Sequence, residues 1–150
     1  MGDNKGITLY SGVIYMKKEE VLYERLFLKA KAVLENSYSP YSKFKVGAAL
    51  ITREGKVFTG VNVENSSYGA TICAEAVALG KIVAARNRVP FAIAVCAKNK
   101  EGRYVEAPPC GICRQMLLEF SSQIIVIYGT HEENLNVNTL EKLLPQGFSL

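Results

Sequence analysis

Apolar residues in the first third of the chain return at helical spacing. From Lys18 to Asn36, Val21, Leu22, Leu26, Leu28, Ala32 and Val33 recur every few positions, and the breakers "NSYSP" follow. This predicts an amphipathic helix that stops at those breakers. The period then shortens. "FKVGAALIT" (44–52) and "KVFTGVNV" (56–63) are rich in β-forming residues and are joined by the Gly-bearing turn "REGK", so they predict an antiparallel hairpin. A second helix is predicted over 73–86, opening on "CAEAVALG". "FAIAVCAKN" (91–99) is a continuous apolar run, as a central strand covered on both faces requires. "EGRYVEAPP" reads as loop. "GICRQMLLEF" (111–120) sets Ile112, Met116, Leu117 and Phe120 on one helical stripe, and "QIIVIYG" (123–129) is another buried strand. A short strand fits near "NLNVN", and "NTLEKLLP" is a terminal helix stopped by Pro145.

Helices alternating with hydrophobic strands predict an α/β domain of three layers. At 150 residues and 16.5 kDa the chain suits one domain over 16–150, large enough to bury a core without disulfides. "MGDNKGITLYSGVIY" (1–15) has no clear periodicity, while Met16 opens "MKKEE" as a natural start would. Residues 1–15 are therefore expected to be a leader, disordered or expression-derived.

Composition narrows the function classes. The chain is 49% hydrophobic and 21% charged, with a mean hydropathy of +0.08, slightly apolar for a globular domain, and such an excess suits subunit contacts. No apolar run reaches bilayer length and no signal peptide opens the chain, so a cytoplasmic protein without a membrane partner is expected. The net charge of +4 comes from 18 basic and 14 acidic residues spread along the sequence. The dense clusters "MKKEE" and "KNKEGR" lack the interleaved aromatics of a nucleic-acid surface, so no polynucleotide partner is expected.

The chemistry lies at two predicted helix starts, "CAE" (73–75) and "PPCGIC" (108–113). Free backbone N–H groups at such ends favour thiolate. Cys110 and Cys113 are spaced to converge on one metal, Zn²⁺ being the common choice, and Cys73 completes a three-sulfur set. Cys96 lies mid-strand among core residues, and the lone His131 sits in the polar "GTHEEN". Three ligands leave a position for water, which is the mark of a catalytic rather than a structural site. Glu75 can share the site with Cys73 only if Cys73 hooks over the helix end as a cap, since positions two apart on a helix point to nearly opposite sides. Blander readings compete. A C-x-x-C pair also serves as a redox dithiol, although that motif belongs after a first strand and here follows the third. The metal could be purely structural, the cysteines could be core residues, and Glu75 could simply complement the helix dipole.

At these residues the chain resembles the small homotetrameric, zinc-dependent cytidine deaminases, whose metal ligands are cysteines with a nearby non-ligating Glu. The likeness runs through "SPYSKFKVGAAL", "GVNVENSSYG", "CAE", "PCGICRQ" and "LLPQGF". It implies a three-layer fold in which helices sandwich a mixed five-stranded sheet. It also implies Zn²⁺ on Cys73, Cys110 and Cys113, Glu75 as the catalytic proton carrier, and a free pyrimidine nucleoside as substrate. By the same likeness Phe44 packs on the pyrimidine, Asn62 and Glu64 bond the ribose hydroxyl, and Ala74 joins them on the substrate side. Phe148 then reaches a neighbouring subunit's site in a homotetramer. Many members carry Arg directly after the acid. This chain has Ala76, so helix dipoles, or Arg114 and Gln115 behind the ligands, are expected to balance the thiolate charge. "CAEAVALG" and "LLPQGF" also resemble blasticidin S deaminases, which leaves that antibiotic as an alternative substrate. A noncatalytic zinc-stabilised module that binds a nucleoside or a partner is the rival of another class.

Overall fold

The computed structural model describes residues 6–87 and 89–150, with backbone alone over 6–18. Part of the expected leader, residues 1–5, lies outside the described residues, and from Gly6 the backbone is already helical. In chain order the elements are α1 (Gly6–Val33), β1 (Lys45–Thr52), β2 (Val57–Val61), α2 (Ala74–Ala84) and β3 (Pro90–Lys98). They continue with β4 (Tyr104–Val105), α3 (Gly111–Leu118), β5 (Ile125–His131), β6 (Asn134–Thr139) and α4 (Leu140–Leu143). The sheet runs β2-β1-β3-β5-β6, with β4 on β3 off that path. Among the described strands only β3 and β5 pair in parallel, so the sheet is mixed.

The expected five strands form the continuous path, and β4 is a sixth, in a stretch expected to be loop. The reason is local. β5 pairs with β3 over Ala92–Val95 and leaves the next residues of that edge open, and Tyr104–Val105 fills it against Ala97 and Lys98. Lys31 and Lys98 both stand over the Tyr104 ring, at 4.9 and 4.8 Å, a cation–π clasp that holds two residues too few to form a strand alone.

Strand parity splits the core into two layers. Ala49, Ile51, Ala92, Ala94 and Cys96 face α1, where Leu26, Phe27, Ala30 and Leu34 cover them. Ala48, Leu50, Ile93 and Val95 face the other way, under Ala78, Leu79 and Ile82 of α2 and Leu117 of α3. Two expected stripes are out of phase with this. Val21 and Leu28 are exposed on α1, because the line that meets the sheet is Leu26, Phe27 and Ala30, continued by Leu34 just past the helix. On α3, Ile112 is 74% exposed and Met116 also faces out. The buried line there is Cys113 and Leu117, since turning Cys113 inward rotates Ile112 and Met116 to the surface.

Candidate active site

Two chain reversals bring the cysteines together. β2 ends at Val61, and the following segment returns through the bridge between Val63 and Ile72 to the start of α2. The segment after β4 passes Pro108 and Pro109 into α3. Cys73 and Cys110 are the N-caps of α2 and α3, both extended (φ −71°, ψ 153° and φ −67°, ψ 169°), and neither side chain caps its own helix. Each thiol is therefore free to turn to a common point in front of two helix N-termini, whose partial positive charge favours anionic sulfur.

The Sγ atoms of Cys73, Cys110 and Cys113 all lie within 4.8 Å of one another, and Cys73 and Cys110 are 3.9 Å apart. Sulfurs on a tetrahedral zinc with bonds of about 2.3 Å stand about 3.8 Å apart, so the spacing suits that ion. The donor chemistry agrees. Hydrogen bonding to Cys113, the largest influence, pulls Cys73 down to about 7, whereas that same bond and burial push Cys113 far above an ordinary thiol. Three sulfurs this close cannot all ionise without a cation between them. Cys96 is excluded by parity, because it faces α1 on the opposite side of the sheet, and burial pushes its thiol up to about 11.

Glu75 is 5% exposed in the first turn of α2, and burial raises its pKa above the ordinary carboxylate value. It lines a cleft of about 250 Å³ together with Phe44, Asn62, Cys73, Ala74 and Cys110. Val46, Ile72, Val95 and Pro108 are among its apolar walls. These wall residues carry no chemical signal in the sequence, because apolar residues at a strand end look the same in a cleft and in a core.

The other expected site residues divide. Asn62 is buried, and its side-chain oxygen accepts from Ser37 Oγ at 2.5 Å and Val46 N at 2.8 Å, while its Nδ2 donates to Phe44 O at 2.9 Å. The amide thus ties the backbone on either side of Lys45, starting at the carbonyl of Phe44 itself, and one N–H remains for a ligand. Glu64 lines a neighbouring cavity of about 340 Å³ with Tyr41, Ser42, Asn65, Tyr68 and Thr71. Thr71 is a wall of both spaces. The Glu64 carboxylate accepts from Tyr41 N at 2.9 Å, Ser42 N at 3.2 Å and the Ser42 hydroxyl, and the last of these does most to lower its pKa. It is not deeply buried in the single chain, contrary to what a closed ribose pocket requires.

Arg114 and Gln115 meet carbonyls rather than sulfurs. Arg114 donates from Nε to Pro109 O and from Nη1 to Leu143 O, both at 2.7 Å. The Gln115 amide exchanges two hydrogen bonds with the Phe148 backbone, at 2.7 and 3.3 Å. They hold the segment before Cys110 and the C-terminal tail onto α3. The Phe148 ring itself lines neither cavity and is 69% exposed.

A cradle of three sulfurs at the meeting of two helices, with a buried acid lining the same cleft, defines a site that could hold a metal ion. The chain belongs to the family described as "Cytidine and deoxycytidylate deaminase zinc-binding region", which matches residues 21–129, and zinc is accordingly its metal. It is 42% identical over 127 residues to the cytidine deaminase of Sporosarcina psychrophila, covering 84% of this chain and 90% of that one. The crystal structure of cytidine deaminase from Burkholderia pseudomallei is similar with a TM-score of 0.75 and 42% identity, covering 83% of this chain and 97% of that one. That of Mycobacterium tuberculosis gives 0.72 and 35%, covering 85% and 98%.

Proposed function

We propose that this protein is a zinc-dependent hydrolytic deaminase that converts cytidine and deoxycytidine to uridine and deoxyuridine with release of ammonia. The observation that carries the reading is the buried carboxylate of Glu75 in the same cleft as Cys73 and Cys110. Relatives that align over most of the chain are named cytidine deaminases. Zinc, held by Cys73, Cys110 and Cys113, supplies Lewis acidity and draws the pKa of a water towards ~7.

The residues of the chain do the rest. Glu75 accepts a proton from the attacking water and delivers it to ring N3, which makes C4 the electrophile. After the water oxygen has bonded to C4, Glu75 takes that oxygen's remaining proton and passes it to the amino group as the C4–N bond breaks, so that water and cytidine become uridine and ammonia. Phe44 and Ala74 wall the base, and Asn62 keeps Phe44 in place. Glu64 addresses the sugar, its oxygens oriented by Ser42 and Tyr41. Glu64→Gln is expected to raise KM for cytidine about tenfold while kcat changes little, because a charged acceptor becomes a neutral one. Steady-state kinetics check this, and an unchanged KM removes Glu64 from the sugar site.

Charge points to a free nucleoside. Among the described residues lining the two cavities there is no Lys or Arg, and both carboxylates are present. A phosphate on the sugar meets no cation there and is repelled. The same absence disfavours a polynucleotide. The homotetramer belongs to this reading. An apolar groove between α2 and α3, lined by Ala76, Leu79, Val83, Met116 and Phe120, and the exposed Phe148 ring are surfaces for other copies to cover. Three reduced thiols at contact distance suit the cytoplasm. No helix among the described residues is long and apolar enough to cross a membrane.

An ultraviolet assay against cytidine, deoxycytidine, deoxycytidylate and blasticidin S, with and without a strong chelator, tests the reading. Both nucleosides are expected to turn over, and chelation to abolish this until zinc is restored. The nucleotide should be at least ~100-fold poorer in kcat/KM. Preference for the antibiotic, or zinc without ammonia release, contradicts the proposal.

A further inference from the structure

Glu75 and Ala74 reach the cleft only because α2 lies very close to the sheet, and that approach has one visible cause. A Cβ built on Gly60 of β2 falls 2.2 Å from Ala74 O, 2.6 Å from Ala78 N and 3.0 Å from Val77 Cβ. The first two are backbone atoms of α2, so no rotamer change relieves them. Gly60 pairs with Ala48, whose side faces α2, and the missing side chain is therefore missing on the face where the site is built. We propose that Gly60 is a positioning residue for the deamination: its bare Cα is the seat on which the first turn of α2 rests, and this seat sets how deep Glu75 enters the cleft. The inference rests on the reading of Glu75 as proton carrier.

Magnitude favours an effect on chemistry over one on binding. Ordinary contact needs about 3.4 Å, so a methyl at position 60 drives the first turn of α2 outward by roughly 1 Å. Such a displacement of a proton-transfer group costs up to ~10²-fold in rate. The cysteines suffer less. Cys110 and Cys113 ride on α3, and Cys73, as a cap with an extended backbone, can follow the ion. Phe44, Asn62 and Glu64 lie outside α2, the last two on the exit from β2 itself, so of the substrate contacts only Ala74 is carried along with the displaced turn, and substrate affinity is largely spared.

A matched clash on the opposite face gives the control. A Cβ on Gly47 of β1 falls 2.1 Å from Ala30 O and 3.0 Å from Leu34 N, and the push is taken by α1, which contributes no residue to the cleft. Gly60→Ala and Gly47→Ala thus introduce similar strain with different consequences. The test measures, for both variants and the parent, thermal midpoint, zinc per chain, zinc affinity by competition with a chromophoric chelator, and kcat and KM for cytidine.

Both variants are expected to melt lower. Both should hold one zinc per chain with affinity within about tenfold of the parent. Gly60→Ala should lose about 30- to 100-fold in kcat with KM within threefold, while Gly47→Ala keeps kcat within threefold. Equal kcat losses in the two variants, or a Gly60→Ala variant whose kcat matches the parent, overturn the proposal. If Gly60→Ala does not fold, Val77→Ala decides. It thins the same seam, and a three- to tenfold loss of kcat at constant KM supports the seat, whereas full activity refutes it. A parent protein that binds zinc but does not deaminate cytidine refutes the activity instead, and so separates the two failures.

Discussion

Glu75→Gln is expected to bind one zinc per chain, keep KM for cytidine within a few-fold, and lose ~10³- to 10⁴-fold in kcat. The amide fills the space of the carboxylate but cannot take a proton from water and return it to the ring and the leaving amine, and positioned acid–base groups supply gains of this order. Stability should not suffer. Glu75 is almost fully buried and its ionised form is disfavoured there, so replacing it with a neutral isostere removes a desolvation cost. The thermal midpoint should be unchanged or higher. The combination of intact metal, intact fold and vanished turnover distinguishes a proton carrier from an acid that merely complements the α2 dipole. Retention of most of the activity returns Glu75 to the second role.

Cys113→Ser has the other large effect, and on a different quantity. Cys113 is the buried sulfur of the three, and its hydrogen bond is the main influence on Cys73. A serine hydroxyl is a poor zinc ligand at neutral pH and holds its oxygen further from the common point. Zinc content should fall below about a tenth of an ion per chain by elemental analysis, with turnover undetectable. Ion binding stabilises only the folded chain, so its loss should also lower the thermal midpoint by ~5–10 °C. Cys96→Ser is the internal control. It changes a thiol of equal burial on the far side of the sheet and should keep the zinc.

The metal centre was legible because its parts are local. A cysteine before an acid, and two cysteines three apart behind prolines, announce themselves at helix starts whatever the rest of the fold does. Cys96 was legible as a core residue from its apolar mid-strand neighbours. The phase of the helices was not. Val21 and Leu28 are apolar like Leu26 and Phe27, and only the way α1 is seated on the sheet, with Leu26, Phe27 and Ala30 turned inward, decides which are covered. β4 has no signal of its own in two residues, because what holds it is pairing with the end of β3 and the Tyr104 ring under Lys98 and under Lys31, the latter far away along the chain. Arg114 and Gln115 are expected from the sequence to balance the thiolate charge, but their hydrogen bonds to Pro109, Leu143 and Phe148 are not legible there, since the last two partners are brought to them by the tail. Gly60 gave no signal at all, because a glycine in a strand looks like a weakness until the helix lying on it is seen.

X-ray absorption at the zinc edge of the purified protein tests the central claim most directly. Three sulfurs at about 2.3 Å and a single lighter atom are expected around the ion, with one zinc per chain. Four sulfurs, or a protein that folds and turns over without zinc, would contradict it.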